Sequence, residues 1–198
     1  MSASEASDRE TPDEELVDRA VKGDRGAFRE LFERYRQRAY RVAYRFLGNH
    51  SDALDVVQEA FIKAYRALGG FERRAKFRTW LMRIVTNTSL DRRRSRSSRS
   101  AATLSDEIIE STSEESQPHR RRETPLEQME YSELREALNR ALEQVSEAHR
   151  TVFVLHTEEG LTYREIAEVL DISEGTVMSR LYHARKNLQK ILSNAGVL

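Results

Sequence analysis

The chain has 198 residues, 38% of them hydrophobic and 33% charged, and no cysteine, which excludes a disulfide framework and a cysteine-ligated metal. The first eighteen residues are acidic without an apolar core, and no apolar run approaches a bilayer span, so a signal peptide and membrane insertion are not expected and a reducing, cytoplasmic setting is. Net charge is zero, but residues 1–21 carry 2 basic and 7 acidic groups, residues 22–99 carry 20 and 8, and residues 100–198 carry 11 and 18. A positive block of that size points to a polyanion, because each lysine or arginine placed on a phosphate releases condensed counterions. The alternative is a set of solvated helix faces balanced elsewhere in the fold.

Thr11-Pro12-Asp13-Glu14 reads as a capping box opening a first helix, with Leu16, Val17, Ala20 and Val21 as its stripe. A second helix is predicted from about Gly26 to Leu47, with Phe28, Leu31, Phe32, Tyr35, Ala39, Val42, Ala43 and Phe46 at spacings of three and four. Ser51 is read as the cap of a third helix, whose buried stripe is Leu54, Val57, Phe61, Tyr65 and Leu68. A fourth spans about Phe77 to Arg94, with Trp80, Leu81, Ile84 and Val85 inward. No period-2 segment bounded by hairpin turns is present. The expectation is an all-α protein of two small helical domains, 1–95 and 126–198. Residues 96–125, rich in Ser, Arg, Glu and Thr, are read as a flexible linker. Helices are expected in the second domain around Glu127–Val145, Glu147–Thr157, Tyr163–Leu170 and Glu174–Leu192.

Thr162 to Glu165 is a second capping box, Asp171-Ile172-Ser173 a three-residue turn, and Ser173 a cap for the next helix. Two short helices joined this way form a helix-turn-helix. In the second of them Val177, Leu181, Ala184 and Leu188 follow spacings of 4, 3 and 4 and face the core. That phase turns Thr176, Ser179, Tyr182, His183 and Lys186 outward, with Met178 and Arg185 on one edge and Arg180 on the other. A recognition helix presents such a face to base edges and phosphates.

On the third helix Asp55, Glu59 and Ile62 share a line, with Gln58 beside it. An acidic, apolar line inside a basic segment suits a basic protein surface better than DNA. Asp55 and Glu59 lack a histidine or third acid to complete a metal site, so no metal and no cofactor are expected. Then come Arg73, Arg74, Lys76, Phe77, Arg78 and Trp80, cations interleaved with aromatics on a loop hinged at Gly69-Gly70. That composition suits single-stranded DNA, with rings stacking on bases and cations on the backbone. Phe77 and Trp80 can equally be core residues of a helix start. Arg83 and Asn87 face outward on the following helix, Asn87 either as a base reader or as a solvated amide.

Asp55-Val56-Val57-Gln58-Glu59-Ala60-Phe61, then Phe77-Arg78-Thr79-Trp80-Leu81-Met82-Arg83-Ile84 with Asn87, resemble region 2 of bacterial extracytoplasmic-function (ECF) sigma factors. Leu161-Thr162-Tyr163-Arg164-Glu165-Ile166-Ala167 and Gly175-Thr176-Val177-Met178-Ser179-Arg180-Leu181, followed by Ala184-Arg185, resemble region 4 of the same family. The resemblance implies a dissociable specificity subunit of bacterial RNA polymerase, nucleoid-associated when in holoenzyme. It implies that Asp55, Gln58, Glu59 and Ile62 meet the β′ clamp helices, with the β flap as a further polymerase contact. It also implies that the region 2 loop melts and reads the −10 element, that region 4 binds the −35 duplex, and that an anti-sigma factor exists. Met178 and His183 depart from the basic residues common at those positions. An autonomous helix-turn-helix regulator is the alternative, but it leaves the Asp55/Glu59 line without a role. An enzyme is not expected: there is no glycine-rich phosphate loop and the five histidines are not expected to cluster.

Overall fold

The computed structural model describes residues 11–102 and 137–197, with side chains up to residue 96 in the first segment. Helices α1 (Asp13–Val21), α2 (Arg25–Leu47) and α3 (His50–Ala67) lead into a 3₁₀ turn at Leu68–Gly70 and then α4 (Phe77–Ala102). After the gap come α5 (helical over 137–144), α6 (Glu147–Thr157), α7 (Tyr163–Leu170) and α8 (Glu174–Asn194). No strand occurs among the described residues, and the all-α expectation holds. The predicted stretch 126–136 and most of the predicted linker lie outside the described residues.

Local chemistry sets the helix ends, not always at the residues the sequence suggests. At α1 the cap position falls on Pro12, which makes no side-chain cap bond, so Thr11 closes no capping box. Asp24 caps α2, accepting from the Gly26 and Ala27 amides at 2.8 and 3.1 Å. Asn49, rather than Ser51, caps α3 by accepting from the Asp52 amide. Between α2 and α3 the chain turns at Gly48 with φ 65°, a left-handed conformation that glycine adopts without Cβ strain.

Two further expectations are corrected. The buried stripe of α3 is Ala53, Val56, Val57, Ala60, Phe61 and Ala64, followed by Leu68, while Leu54 and Tyr65 are nearly half exposed. Alanines on the inner face allow close approach to α2 and α4, and the larger side chains are displaced to the rim. Helix α4 continues eight residues past Arg94, into the segment read as linker. Residues 95–102 contain no glycine or proline, so an established helix propagates through them. An Arg96–Asp52 ion pair ties the extension to α3.

The N-terminal half packs α1, α2 and α3 around α4, and the C-terminal half packs α6 and α7 on α8. The two halves touch, chiefly α4 on α7, with α2 also meeting α6. One buried apolar cluster runs from Leu16 through Leu81, Met82 and Val85 to Leu155, Ile166 and Leu181. Helix α4 is buried beyond its apolar stripe, because it is packed by α2, α3 and α7: Thr79, Thr86, Thr88 and Ser89 are covered as well, Thr88 accepting from Lys63 of α3.

Candidate nucleic-acid interface

On α3 the structure exposes Asp55, Gln58 and Ile62, while Glu59 is half-buried. The acids are not left bare. Arg92 of α4 reaches Asp52, Asp55 and Glu59 at 3.5–3.6 Å, and Lys63 pairs with Glu59 at 2.8 Å. The Lys63 hydrogen bond and the nearby Arg92 hold the Glu59 carboxyl below its usual range. Beside this row lies a shallow groove of about 520 Å³ lined by Phe28, Phe32, Gln58, Phe61, Ile62, Tyr65 and Arg66. With Leu54 at 49%, Tyr65 at 46% and Ile62 at 45% exposure, the face is an apolar patch edged by paired charge. Sequence spacing points to Ile62 and Gln58 but places Leu54 and Tyr65 on the core stripe, where the structure does not have them.

The loop from Phe71 to Lys76 turns on Arg73, whose φ is 57°. Gly69 and Gly70 lie instead in the 3₁₀ turn without a positive φ, so the glycine hinge is not the source of the reversal. Arg73 is ion-paired with Asp18 of α1, and Arg74 with Glu72 at 2.7 Å. Phe77 is 3% exposed, its ring 5.7 Å from those of Tyr35 and Trp80. It is therefore a core residue and offers no face to a base. Trp80 is half-buried against Phe71, ring centres 4.9 Å apart, and keeps part of its ring at the surface. Under the loop a cavity of about 270 Å³ is lined by Asp13, Val17, Phe71, Arg74, Lys76 and neighbouring residues. Arg83 and Asn87 are exposed one and two turns further along α4, as expected.

Arg78 and Lys76 point to the other half of the molecule. Arg78 Nη2 donates to both oxygens of Glu165 at 3.3 and 3.4 Å, and Lys76 Nζ lies 4.0 Å away. Glu165 is also the reciprocal partner of the Thr162 cap: it accepts from the Thr162 amide at 2.9 Å while the Thr162 hydroxyl accepts from the Glu165 amide. Burial pushes the Glu165 carboxyl up, but the Thr162 bonds with Arg78 and Lys76 outweigh it, leaving the group below its ordinary value.

The helix-turn-helix forms as read. Asp171 ends α7 in the left-handed region, and Ser173 caps α8 by accepting from the Thr176 amide at 3.1 Å. Val177, Leu181, Ala184 and Leu188 are buried. Met178, Ser179, Tyr182, His183, Arg185 and Lys186 are exposed, and Thr176 and Arg180 half-buried. One correction concerns the histidines: His149 of α6 and His183 of α8 lie with ring centres 5.8 Å apart. Burial, then the neighbouring His183 and Arg180, hold His149 below its usual value. No group of three metal-ligating side chains occurs among the described residues.

Against known proteins, residues 31–99 match the Sigma-70 region 2 family and residues 135–188 the family described as Sigma-70, region 4. The chain is 37% identical over 182 residues to the RNA polymerase sigma-H factor of Pseudomonas aeruginosa, covering 91% of this chain and 93% of that protein. It is also 37% identical over 174 residues to the ECF RNA polymerase sigma-E factor of Escherichia coli K12, covering 88% and 91%. Among solved structures it is similar to CnrH, determined with the cytosolic domain of CnrY, at TM-score 0.68 and 27% identity over 92% of this chain and 97% of that one. The fold is shared with the sigma factor RpoE of Bartonella quintana, solved with the anti-sigma factor NepR, at TM-score 0.64 and 22% identity over 84% and 96%. These likenesses define the class: a two-region sigma subunit, a DNA-binding regulatory protein. The chain belongs to the ECF family of RNA polymerase sigma factors. It is an alternative sigma factor directing promoter-specific transcription initiation.

Proposed function

We propose that the three surfaces divide the work of initiation. The α3 face, with Asp55, Gln58, Glu59 and Ile62 now joined by Leu54 and Tyr65, docks on the β′ clamp helices of core polymerase. The loop cations Arg73, Arg74, Lys76 and Arg78, with Trp80, Arg83 and Asn87, capture the melted −10 strand. The outward face of α8, Thr176 to Lys186, reads the −35 duplex, and the β flap receives the C-terminal half. An anti-sigma protein is the further partner, supported by the complexes in which CnrH and the Bartonella RpoE were solved. The observation that carries this reading is the exposed apolar groove beside the Asp55/Glu59 row, on a helix inside the matched region 2.

The test is capture of core polymerase by the full chain. Asp55→Lys with Glu59→Lys sets two lysines against Arg92, so loss of polymerase binding is expected along with a lower melting temperature. Ile62→Ser leaves that ion-pair network untouched and is expected to weaken capture alone. Losing a desolvated charge pair at an interface costs about 2–5 kcal/mol. Undiminished capture by both variants overturns the docking assignment.

A further inference from the structure

Outside the three surfaces just described, a cavity of about 500 Å³ opens where α2 and α4 meet α5 and α6. That size is typical of a small-ligand site. Four of its lining side chains are arginines, Arg45, Arg93, Arg96 and Arg150, and Glu143 of α5 is the single carboxylate among them. Half-buried Tyr44 lines the same cavity.

Two of the four arginines have acidic partners. Arg45 donates to Glu158 at 2.7 Å and also to Asn139, and Arg96 is ion-paired with Asp52. The other two do not. Arg150 is 2% exposed, and its Nη2 donates only to the neutral carbonyls of Glu143 and Val145, at 2.9 and 3.0 Å. Arg150 Nε and Arg93 Nη1 are both shut off from solvent without an acceptor among the described residues. Burial, then the charge of Arg93, pulls the Arg150 guanidinium down to about 10, and Glu143 and Glu147 only partly restore it. A buried cation without a carboxylate partner is costly to a fold, and an anion supplied from solution removes that cost.

We propose that this cavity is a binding site for a small phosphate-bearing anion, diphosphate or the polyphosphate group of a nucleotide, held by Arg93 and Arg150 with Arg45 and Arg96 at its edges. Arginine suits that ligand because its planar fork of donors meets two phosphate oxygens at once. The surroundings select a small anion over a DNA strand. Glu143 stands in the lining, Asp52 and Glu158 sit on the outer arginines, and Glu147 pairs with Arg94 at 2.8 Å beside them. A continuous row of phosphates would run onto these carboxylates and be repelled, whereas a compact anion ends inside the cavity. The site is independent of the polymerase, −10 and −35 readings.

The experiment is isothermal titration calorimetry of the full chain with sodium pyrophosphate, at low salt in a buffer free of phosphate and divalent metal. Saturable one-to-one binding is expected, together with a raised melting temperature, since a ligand of the native state stabilises it. Arg93→Gln, which removes a guanidinium nitrogen that has no acceptor, is expected to keep the parent's fold and to weaken binding about tenfold. Glu143→Gln removes the carboxylate from the lining and is expected to tighten binding by about threefold, a gain that loss of fold cannot mimic. ATP in place of pyrophosphate separates the two sources: equal affinity means that the phosphates are recognised alone, and tighter binding adds the nucleoside against Tyr44, either result supporting the site. Absence of saturable binding by both probes overturns the proposal, as does undiminished affinity in Arg93→Gln. Displacement of pyrophosphate by an equimolar oligothymidylate makes the cavity a strand-binding site and overturns the small-anion assignment.

Discussion

Glu159 is the residue whose environment is most at odds with its charge. Its side chain is fully covered, neither carboxylate oxygen has a hydrogen-bond partner, and Arg41 is 4.0 Å away. Burial pushes its carboxyl above the usual 4.5, and Arg38, Arg41 and Arg78 only partly pull it back. A carboxyl raised in the folded state favours folding while it is protonated and loses that contribution as pH rises through its folded value. Stability from this site is therefore complete below about pH 4.5 and declines above it. Glu159→Gln, which does not titrate, is expected to gain melting temperature over the parent protein as pH is raised from about 4 to about 7. A difference between the two that stays flat across that range means the carboxyl titrates alike folded and unfolded.

At the scale of elements, α8 invites the sharpest test, because its buried and exposed faces separate cleanly. In the proposed −35 reading, Ser179 and His183 meet base edges, and Arg180, Arg185 and Lys186 meet phosphates. Ser179→Ala with His183→Ala is expected to relax preference at individual −35 positions by about 1–3 kcal/mol each, while a lost phosphate contact flattens the salt slope by about 1. Selection of bound sequences from a random pool measures this, and an unchanged motif refutes the base-reading roles. The same helix shows why part of the fold was legible. It packs on one side only, so a spacing of 4, 3 and 4 named all four buried residues, and the Thr162 cap needed nothing beyond four consecutive residues. Helix α4 defeated the same reasoning because it is packed on several sides, by α2, α3 and the sequence-distant α7, so that Thr79, Thr86, Thr88 and Ser89 are buried beside its apolar stripe. Helix α3 was misphased in part because three of its core contacts, Ala53, Ala60 and Ala64, are alanines, which carry little hydrophobic signal. Phe77 and Trp80 share a composition but not a fate: only packing against Tyr35 and Phe71 distinguishes the buried ring from the half-open one. The His149–His183 approach had no sequence signature, since it depends on how α6 crosses α8.

For the whole molecule, reach decides what the protein does alone. The 34 residues between Ala102 and Ala137 span at most about 120 Å when fully extended, and about 30 Å as a random coil. Engaging two elements about 70–105 Å apart would need most of the extended limit. Footprinting with the isolated protein is accordingly expected to protect one promoter element at most, and with core polymerase both. Simultaneous, cooperative protection by the isolated protein contradicts this.

Among the described residues five ion pairs set cations of the N-terminal half against carboxylates of the C-terminal half, and this polarity bears on where an idle sigma subunit spends its time. A bacterial chromosome presents on the order of a million or more irrelevant sites, and residues 22–99, carrying +12, would be drawn to all of them by counterion release if left unshielded. Five of those cations are met by carboxylates of the C-terminal half, which leaves fewer of them open to phosphates. The apolar groove on α3, lined by Phe28, Phe32, Phe61, Ile62 and Tyr65, offers a protein partner a surface of a different kind.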